Sequence, residues 1–326
     1  MKAIVQIGYG SADVLKLDEI EMPSVGEKDV LIKVHAASVN ALDWHITRGK
    51  PYFLRLMAGL RAPRDRIRGV DVAGIAQAVG KGVTEIKPGD DVFGGCDGSF
   101  AEYAVTTEDR LAIKPLAVSW EQAATLNVAG LTALQGLRDR AQLRPGQSLL
   151  VVGAGGGVGT FAVQIGKWLG ARVTAVTRAE RIELVRSMGA DDVLDHSAYD
   201  SAAQQRFDVV FDVSGNRPMA EYRRVMAPRG ILVAVGGPAG NWFAPADRMV
   251  KAIALSPFKK QRFAPFVAKP KRQDLALLAE LVQSGAMVPA IDQQYSLLEA
   301  ASAVAYVGAG RARGKVIIRI PGDDAK

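Results

Sequence analysis

Residues 148–159 read Ser-Leu-Leu-Val-Val-Gly-Ala-Gly-Gly-Gly-Val-Gly and place a short β-branched strand directly before a glycine cluster, which a helical pattern follows. Gly153, Gly156 and Gly159 are spaced GxxGxxG. The first glycine permits a strand-to-helix turn, the second lets the backbone approach a phosphate, and the third allows close helix packing. The stricter GxGxxG spacing is absent because Val158 occupies its last position. The stretch favours a dinucleotide pyrophosphate at the helix N-terminus, although glycine clusters also occur in ordinary turns.

The residues after this stretch alternate between helix and strand patterns. A helix is predicted over residues 160–169, and Gly170 and Gly189 suit helix C-caps. Apolar strand patterns recur at residues 172–176, 193–194, 208–213 and 231–235. This alternation predicts βαβ units, so the expected fold class is α/β with a parallel, doubly wound sheet. A glycine-rich turn after the first strand of such an array favours nucleotide binding more strongly than the motif alone.

The end of the second predicted strand indicates which dinucleotide is used. Enzymes that use NAD usually place an Asp or Glu about 20 residues past the glycines to accept the ribose hydroxyls. Here the strand ends in Thr177 and Arg178, with Arg181 three residues later and Glu180 only at the start of the next helix. A guanidinium and a hydroxyl suit a ribose phosphate, so the sequence predicts NADPH. The alternative is that both arginines only solvate the helix.

Composition limits the class of protein. The 326 residues are 48% hydrophobic, which is enough for two domains, and the single cysteine, Cys96, excludes an intrachain disulfide. With no secretory segment at residues 1–5 and no apolar run long enough for a membrane span, we expect a soluble, cytoplasmic protein. The net charge of +7 includes a basic cluster, but aromatic residues are few there, so a solvated face is favoured over nucleic-acid binding. The cluster comprises Lys251, Lys259, Lys260, Arg262, Lys269, Lys271 and Arg272.

The flanking sequence predicts a second domain. Short strand patterns with turn residues between them lie at residues 30–35, 69–79, 87–94 and 100–106, and the spacing of Ser119 and Gln122 fits a capping box that opens a helix. After residue 268, helices over 273–284 and 297–307 and a strand over 315–320 are expected to return to this β-rich domain. The predicted division is therefore 1–123 with 269–326, and 124–268 for dinucleotide binding.

Six stretches stand out along the chain: residues 69–74, 87–92, 130–133, the glycine turn, 189–191 and 314–316. They occur in the order seen in medium-chain dehydrogenase/reductases, and the chain resembles the zinc-free, zeta-crystallin-like quinone oxidoreductase branch of that superfamily. The resemblance implies a GroES-like catalytic domain split around a Rossmann domain, with the active site in the cleft between them. It also implies cofactor contacts from Thr132, Gly153, Gly155, Gly156, Gly157, Val158, Gly159, His196, Ser214, Gly236 and Arg311.

The residues needed for a zinc site are missing. Zinc takes Cys, His or carboxylate ligands, usually three at a catalytic site. Related alcohol dehydrogenases carry a cysteine near Asn40 and a histidine in the segment matching residues 69–71, and neither is present. The three histidines, His35, His45 and His196, are scattered, and Asp43 with His45 would make only a fragment of a site. No metal is predicted.

Without a metal, the resemblance implies hydride transfer to an acceptor that is already electrophilic, such as a quinone or an α,β-unsaturated carbonyl. Asn40 is the first candidate to donate a hydrogen bond to the cofactor or the developing oxyanion, and Tyr52 is a second polar contact. Asp43 either takes part in catalysis or orders the loop by pairing with Arg48.

Two other functions stay open: an enoyl-thioester reductase of the same fold, and a non-enzymatic nucleotide sensor or RNA-binding module. A homodimer is expected, because residues 231–235 and 262–267 would leave a sheet edge unpaired in a monomer.

Overall fold

The computed structural model describes residues 1–52, 54–199, 205–236 and 261–320, without the side chains of Leu54 and Met57. Two compact units are present: Met1–Ala129 with Lys269–Lys326, and Gly130–Ala268. Residues 124–129, which we expected in the dinucleotide-binding domain, belong to the first unit. The reason is a long-range contact, since the Asn127 side chain and the Val128 N–H both donate to the Asp71 carboxylate at 3.0 Å.

The strands and helices are numbered in chain order. The strands are β1 (Lys2–Gln6), β2 (Leu15–Glu19), β3 (Asp29–Val39), β4 (Asp71–Val79), β5 (Asp91–Gly95), β6 (Tyr103–Thr107), β7 (Leu111–Ile113), β8 (Ser148–Val152), β9 (Arg172–Thr177), β10 (Asp192–Asp195), β11 (Phe207–Asp212), β12 (Met226–Ala234), β13 (Arg262–Pro265), β14 (Ile291–Ser296) and β15 (Lys315–Arg319). The α-helices are α1 (Ala41–Arg48), α2 (Leu54–Ala58), α3 (Trp120–Ala124), α4 (Leu131–Gln135), α5 (Gly157–Trp168), α6 (Ile182–Ser187), α7 (Met219–Val225), α8 (Arg272–Gln283) and α9 (Ala300–Gly308).

The first unit is built on a mainly antiparallel sheet in the order β14-β15-β3-β4-β5-β7, with β6 paired to β3 and with β1 and β2 forming a separate pair. Apolar side chains from these strands form its core, among them Ile32, Val72 and Val316, all fully buried. The helix α3 begins with the predicted capping box: Ser119 Oγ accepts from the Gln122 N–H, and the Gln122 side chain accepts from the Ser119 N–H. The β-rich domain expected from the sequence is therefore confirmed.

The second unit contains a parallel sheet in the order β10-β9-β8-β11-β12-β13. Its first strand, β8, lies at the centre, and the later strands extend outward on both sides, which is the doubly wound arrangement predicted. The edge-strand prediction is wrong for residues 231–235, because β12 pairs with both β11 and β13. On that side β13 is the outermost strand of the described sheet.

The helix ends in this unit follow from local chemistry. Gly170 and Gly189 both have positive φ, at +79° and +93°, and each follows the end of a helix as the C-cap pattern predicted. The β8 strand is almost fully buried because helices and neighbouring strands cover it, which explains its continuous apolar sequence.

The basic cluster is only partly described, since Lys251, Lys259 and Lys260 lie outside the described residues. In the first unit, Arg272 is engaged internally: it donates to the carbonyl oxygens of Leu111 and Glu108 and pairs with Glu85. The Arg272 guanidinium therefore links α8 to β7. Within the described residues, no helix has the length and apolar character needed to cross a bilayer.

Candidate functional site

The glycine turn lies at the carboxyl end of β8, and each of the three spaced glycines meets a different steric demand. Gly153 has φ +87°, in the left-handed region, and its N–H donates to the Val176 carbonyl at 3.0 Å. A Cβ on Gly159 would lie 2.3 Å from the Gly153 carbonyl oxygen, so only glycine lets α5 pack this closely. A Cβ on Gly156 would meet only the Gly153 carbonyl oxygen, at 3.7 Å, so there is room beside this glycine. The steric roles of Gly153 and Gly159 are those that the spacing predicted, and the approach of a phosphate at Gly156 stays a prediction.

The N-terminus of α5 supplies donors toward the same open space. Gly156 is the N-cap, and Gly157 and Val158 are the first two helical residues, both half-buried. The first amides of a helix have no intrahelical acceptor, and the helix dipole adds a partial positive charge there. The turn and α5 therefore fit a phosphate or pyrophosphate group.

The end of β9 lies directly behind the turn. A Cβ on Gly155 would be 2.6 Å from Thr177 Oγ1 and 2.7 Å from Arg181 Cδ. The structure thus brings Thr177 and Arg181 next to Gly155, although they follow it by 22 and 26 positions in the sequence. Thr177 is buried, and Arg178, next to it, is exposed. Sequence spacing alone does not predict this contact with Gly155.

A carboxylate that the sequence argument did not consider lies on the neighbouring strand. Asp195, the last residue of β10, is in register with Thr177. Its carboxylate accepts from the Ser197 side chain and from the Ser197 N–H at 2.9 Å, and these bonds lower the pKa of Asp195. Arg178, Glu180 and Arg181 follow the end of β9 in sequence, and Asp195 lies beside that end on β10.

Two further predicted contacts meet at the same edge of the sheet. A Cβ on Gly153 would lie 3.1 Å from the Ser214 N and 3.2 Å from its Cβ, so Ser214 touches the turn. Gly236 follows β12, and a Cβ there would be 2.0 Å from the Val213 carbonyl oxygen. The carboxyl ends of β8, β11 and β12 thus bring Gly153, Ser214 and Gly236 close to one another.

The remaining predicted cofactor contacts lie in different places. Thr132 is on α4, which packs against α5. His196 is exposed, with Nδ1 3.4 Å from Asp195 Oδ1, and its carbonyl accepts from Arg217 at 2.7 Å. Arg311 belongs to the first unit, is exposed after α9, and its N–H donates to the Tyr306 carbonyl. The roles given to these three residues stay predictions.

The first unit holds a buried polar cluster around Asp71 that the sequence argument missed. Asp71 is fully buried. Its Oδ2 accepts from Ser38 Oγ at 2.5 Å, from Asn40 Nδ2 at 2.9 Å and from Lys315 Nζ at 3.2 Å. Its Oδ1 accepts from Asn127 and Val128. Lys315, only 2% exposed, also donates to Asn40 Oδ1 at 2.6 Å. Asp71 and Lys315 lie within the family-like stretches 69–74 and 314–316. The sequence signal that could have revealed them is a charged residue inside a buried strand.

This cluster fixes the side chain of Asn40. One Nδ2 hydrogen points to Asp71, the other to the Ser38 carbonyl at 3.3 Å, and Oδ1 accepts from Lys315. The amide is 7% exposed, and all three of its polar functions are engaged within the first unit. The Asn40 side chain therefore donates one strong hydrogen bond, to Asp71, and one weak hydrogen bond, to the Ser38 carbonyl. Only the weak bond is easily replaced by a bond to another acceptor.

Asp43 binds backbone rather than Arg48, so the predicted pairing with Arg48 is wrong. The Asp43 carboxylate accepts from the Asn40 N–H at 2.7 Å and thereby closes the first turn of α1. The Arg48 guanidinium instead lies over the Trp44 ring, with Cζ 5.4 Å from the ring centroid. Burial raises the pKa of the Asp43 carboxyl to about 7, and the nearby Asp71 acts in the same direction.

Tyr52 is half-buried and lies against cationic side chains. Arg55 Cζ is 4.9 Å from its ring centroid and Lys50 Nζ is 5.6 Å from it. Tyr52 and Asn40 both belong to the segment that follows β3, but the structure shows no hydrogen bond between them. Tyr52 as a polar contact to an acceptor stays a prediction.

Metal ligands are not grouped in the described parts of either unit: no three His, Cys, Asp or Glu side chains there lie close enough together to hold an ion. His45, the histidine nearest to a candidate carboxylate, is partly buried, and burial together with Arg48 lowers its pKa. Cys96 is buried, and burial raises the pKa of its thiol above the ordinary range.

The chain matches two protein families and proteins of known structure. Residues 26–116 match the family "Alcohol dehydrogenase GroES-like domain", and residues 188–318 match the family "Zinc-binding dehydrogenase". The chloroplast envelope quinone oxidoreductase homolog of Arabidopsis thaliana is 34% identical over 338 residues, 98% of each chain. The chloroplastic NADPH-dependent alkenal/one oxidoreductase of the same plant is 33% identical over 334 residues, 98% of this chain and 79% of the relative.

The structural comparison agrees with the sequence comparison. The quinone oxidoreductase from Coxiella burnetii superposes with a TM-score of 0.88 at 27% identity, covering 98% of this chain and 99% of that one. The predicted resemblance and fold class are confirmed by these matches together with the sheet orders of the two units. The chain therefore belongs to the medium-chain dehydrogenase/reductase superfamily, in its quinone oxidoreductase branch.

Proposed function

We propose that the chain is an NADPH-dependent reductase of quinones or α,β-unsaturated carbonyls that works without zinc. The observation that carries this proposal is the glycine turn at the end of β8. It combines an open face at Gly156, unpaired amides at the start of α5, and the Thr177 and Arg181 side chains packed behind Gly155. The names of the relatives, which include quinone and alkenal/one oxidoreductases, support the class of acceptor.

NADPH is favoured over NADH by the charge at the end of β9. Arg178 and Arg181 carry two positive charges there, and the nearby carboxylates are Glu180, between them in the sequence, and Asp195, which already accepts two hydrogen bonds from Ser197. A ribose phosphate accepts charge-assisted hydrogen bonds from guanidinium groups. These bonds are stronger than those that a guanidinium group forms with ribose hydroxyls. Thr177 adds a hydroxyl on the turn side of the strand.

The bound cofactor supplies a hydride, and the protein needs to stabilise the negative charge that then develops on the acceptor oxygen. In a quinone or an enone this charge is spread over a conjugated system, so one or two hydrogen bonds suffice. We propose that Asn40 donates one of them, with the N–H that otherwise points to the Ser38 carbonyl at 3.3 Å. The bonds to Asp71 and Lys315 keep the amide from rotating. Water supplies the final proton.

The test is an acceptor panel with purified protein. NADPH oxidation is followed with a simple benzoquinone, with an aliphatic enone and with crotonyl-CoA, and RNA binding is measured at low and high salt. The proposal predicts turnover of the quinone or the enone above that of the thioester. Faster reduction of crotonyl-CoA would favour the enoyl-thioester reductase. RNA binding without any turnover would favour a non-enzymatic role.

Two variants test the assignment of roles. Asn40→Ala removes a donor that acts on the developing charge, so we expect kcat to fall by about 10- to 1,000-fold with little change in NADPH affinity. Tyr52→Phe removes only a hydroxyl and should be milder. An inactive Tyr52→Phe beside a normal Asn40→Ala would show that the two roles are reversed.

A further inference from the structure

An open pocket in the first unit, of about 540 Å³, lies beside the end of α1. We call it the cationic pocket. It is lined by Tyr9, Gly10, Ser11, Trp44, Arg48, Lys50 and Arg55. Three of these side chains are cations and none is a carboxylate. The pocket has no part in the assignments made above, although it shares α1 with Asn40 and Asp43.

The three cations of the cationic pocket lack the ion pairs that other basic residues form. Arg110, Lys167 and Arg217, for example, each pair with a carboxylate within 3 Å. Within the described parts of the chain, Arg48, Lys50 and Arg55 form no ion pair. Like charges that share one concave surface repel one another, and an anion that enters the pocket would relieve that repulsion.

Arg55 is held in a fixed position. Its guanidinium lies 4.4 Å from the Tyr9 ring centroid and 4.9 Å from that of Tyr52, and its Nε donates to the Gly49 carbonyl at 3.0 Å. A guanidinium stacked on rings keeps its terminal N–H groups free to donate at its edge, as binding of a carboxylate or phosphate requires.

The wall of the pocket depends on a glycine. Gly49 has φ +58°, and a Cβ there would come within 2.6 Å of Tyr9 Cδ1 and 2.7 Å of Arg55 Nε. Tyr9 is anchored in turn by its hydroxyl, which donates to the Gly59 carbonyl at 2.6 Å. The cations are therefore presented by a surface that is closely packed around them.

Nearby acidic groups do not neutralise the pocket. Asp43, the sequence neighbour of Trp44, is buried and accepts from the Asn40 N–H, and Asp13, near Ser11, is exposed and accepts from the Ser11 hydroxyl. Both Arg55 and Arg68 act to lower the pKa of the Tyr9 phenol against the effect of burial. The lining itself therefore carries three positive charges and no negative one.

We propose that the cationic pocket binds an anionic group, a carboxylate or a phosphate, carried at the far end of the acceptor molecule. The inference rests on the proposed function and narrows the acceptor to quinones or enones with an acidic tail. The helix α1 gives the length of that tail. Arg48 lies seven positions after Ala41, the neighbour of Asn40. Seven helical steps correspond to a rise of about 10 Å. An acceptor that contacts Asn40 would need a spacer of roughly that length to reach Arg48.

The test uses a pair of acceptors with the same reacting group. One is a methyl enone joined through four methylene groups to a carboxylate, and the other is its methyl ester. In the wild-type enzyme we expect kcat/KM for the acid to exceed that for the ester by about tenfold, the effect of one charge-assisted hydrogen bond. This preference should shrink as salt is added, because the contact is partly exposed.

Variants then place the effect in the pocket. Arg48→Met and Lys50→Met should each lower the acid-to-ester ratio, and testing both variants guards against misfolding of either one. Lys81→Met is the matched control, since it removes an exposed positive charge from a turn elsewhere in the first unit and should keep the preference. Equal kcat/KM for acid and ester in the wild type, or a preference that both pocket variants retain, would overturn the inference. Failure to reduce either compound would contradict the proposed function instead.

Discussion

Replacing Asp71 with Asn should destabilise the first unit strongly, because the buried carboxylate accepts hydrogen bonds from five groups. Ser38, Asn40 and Lys315 all donate to one of its oxygens, and Asn127 and Val128 donate to the other. An amide has one oxygen only. Whichever way the new side chain turns, its NH₂ group faces donors, and Lys315 keeps its charge without a charged partner.

The magnitude follows from burial. Asp71 is 0% exposed and Lys315 is 2% exposed, and removal of one partner of a buried ion pair costs about 3–5 kcal/mol. The matched control is Asp192→Asn, which breaks the exposed pair of Asp192 with Arg172 and should cost about 0–1 kcal/mol. Adding Lys315→Met to Asp71→Asn removes the unpaired charge, so the double variant should be less destabilised than the sum of the two single variants.

The assay is urea unfolding followed by tryptophan fluorescence. Trp44 and Trp120 lie in the first unit, so a background in which Trp168 and Trp242 of the second unit are replaced with Phe makes the signal specific. An Asp71→Asn cost no larger than that of the exposed control would refute the argument. Strict additivity of Asp71→Asn and Lys315→Met would refute the claim that the two groups act together.

Four further predictions test other parts of the molecule. Arg178→Ala should weaken NADPH binding by about 1.5–3 kcal/mol and leave NADH binding nearly unchanged, as measured by fluorescence titration, with the exposed Arg186→Ala as control. Purified enzyme should contain no stoichiometric zinc and keep its activity after chelation, and one zinc per chain lost together with activity would contradict this. Light scattering should give the mass of a homodimer, since β13 leaves an unpaired outer edge in the described sheet; the mass of one chain at all concentrations would exclude it. Because burial raises the folded pKa of Asp43 from 3.8 to about 7, its stabilising contribution should be full below the lower value and be lost as pH rises to the higher one, so the stability of the wild type relative to Asp43→Asn should fall over that range.

The features that the sequence predicted well depend on local chemistry. The capping box at Ser119, the C-caps at Gly170 and Gly189 and the steric roles of Gly153 and Gly159 each need only a few adjacent residues. The alternation of strands and helices predicted the parallel sheet, because the hydrophobic periodicity of each element is visible in that element's own residues.

The features that the sequence argument missed depend on pairing between distant segments. Lys315 and Asp71 are 244 positions apart, and only the pairing of β15 with β3 and of β3 with β4 brings them together. The interior position of β12 likewise follows from β13, a strand that arrives after a long connection. The Asp43–Arg48 pair was wrong because residues five apart on a helix do not face each other.

The most direct test of the central claim is transfer of label from cofactor to acceptor. NADPH deuterated at the transferable position of its nicotinamide is incubated with the metal-free enzyme and an aliphatic enone, and the product is examined by mass spectrometry. The account predicts one deuterium at the β-carbon of the saturated ketone, and, in a separate reaction with unlabelled NADPH in heavy water, one deuterium at the α-carbon. A reduced product without label from the cofactor, or transfer that requires added zinc, would contradict it.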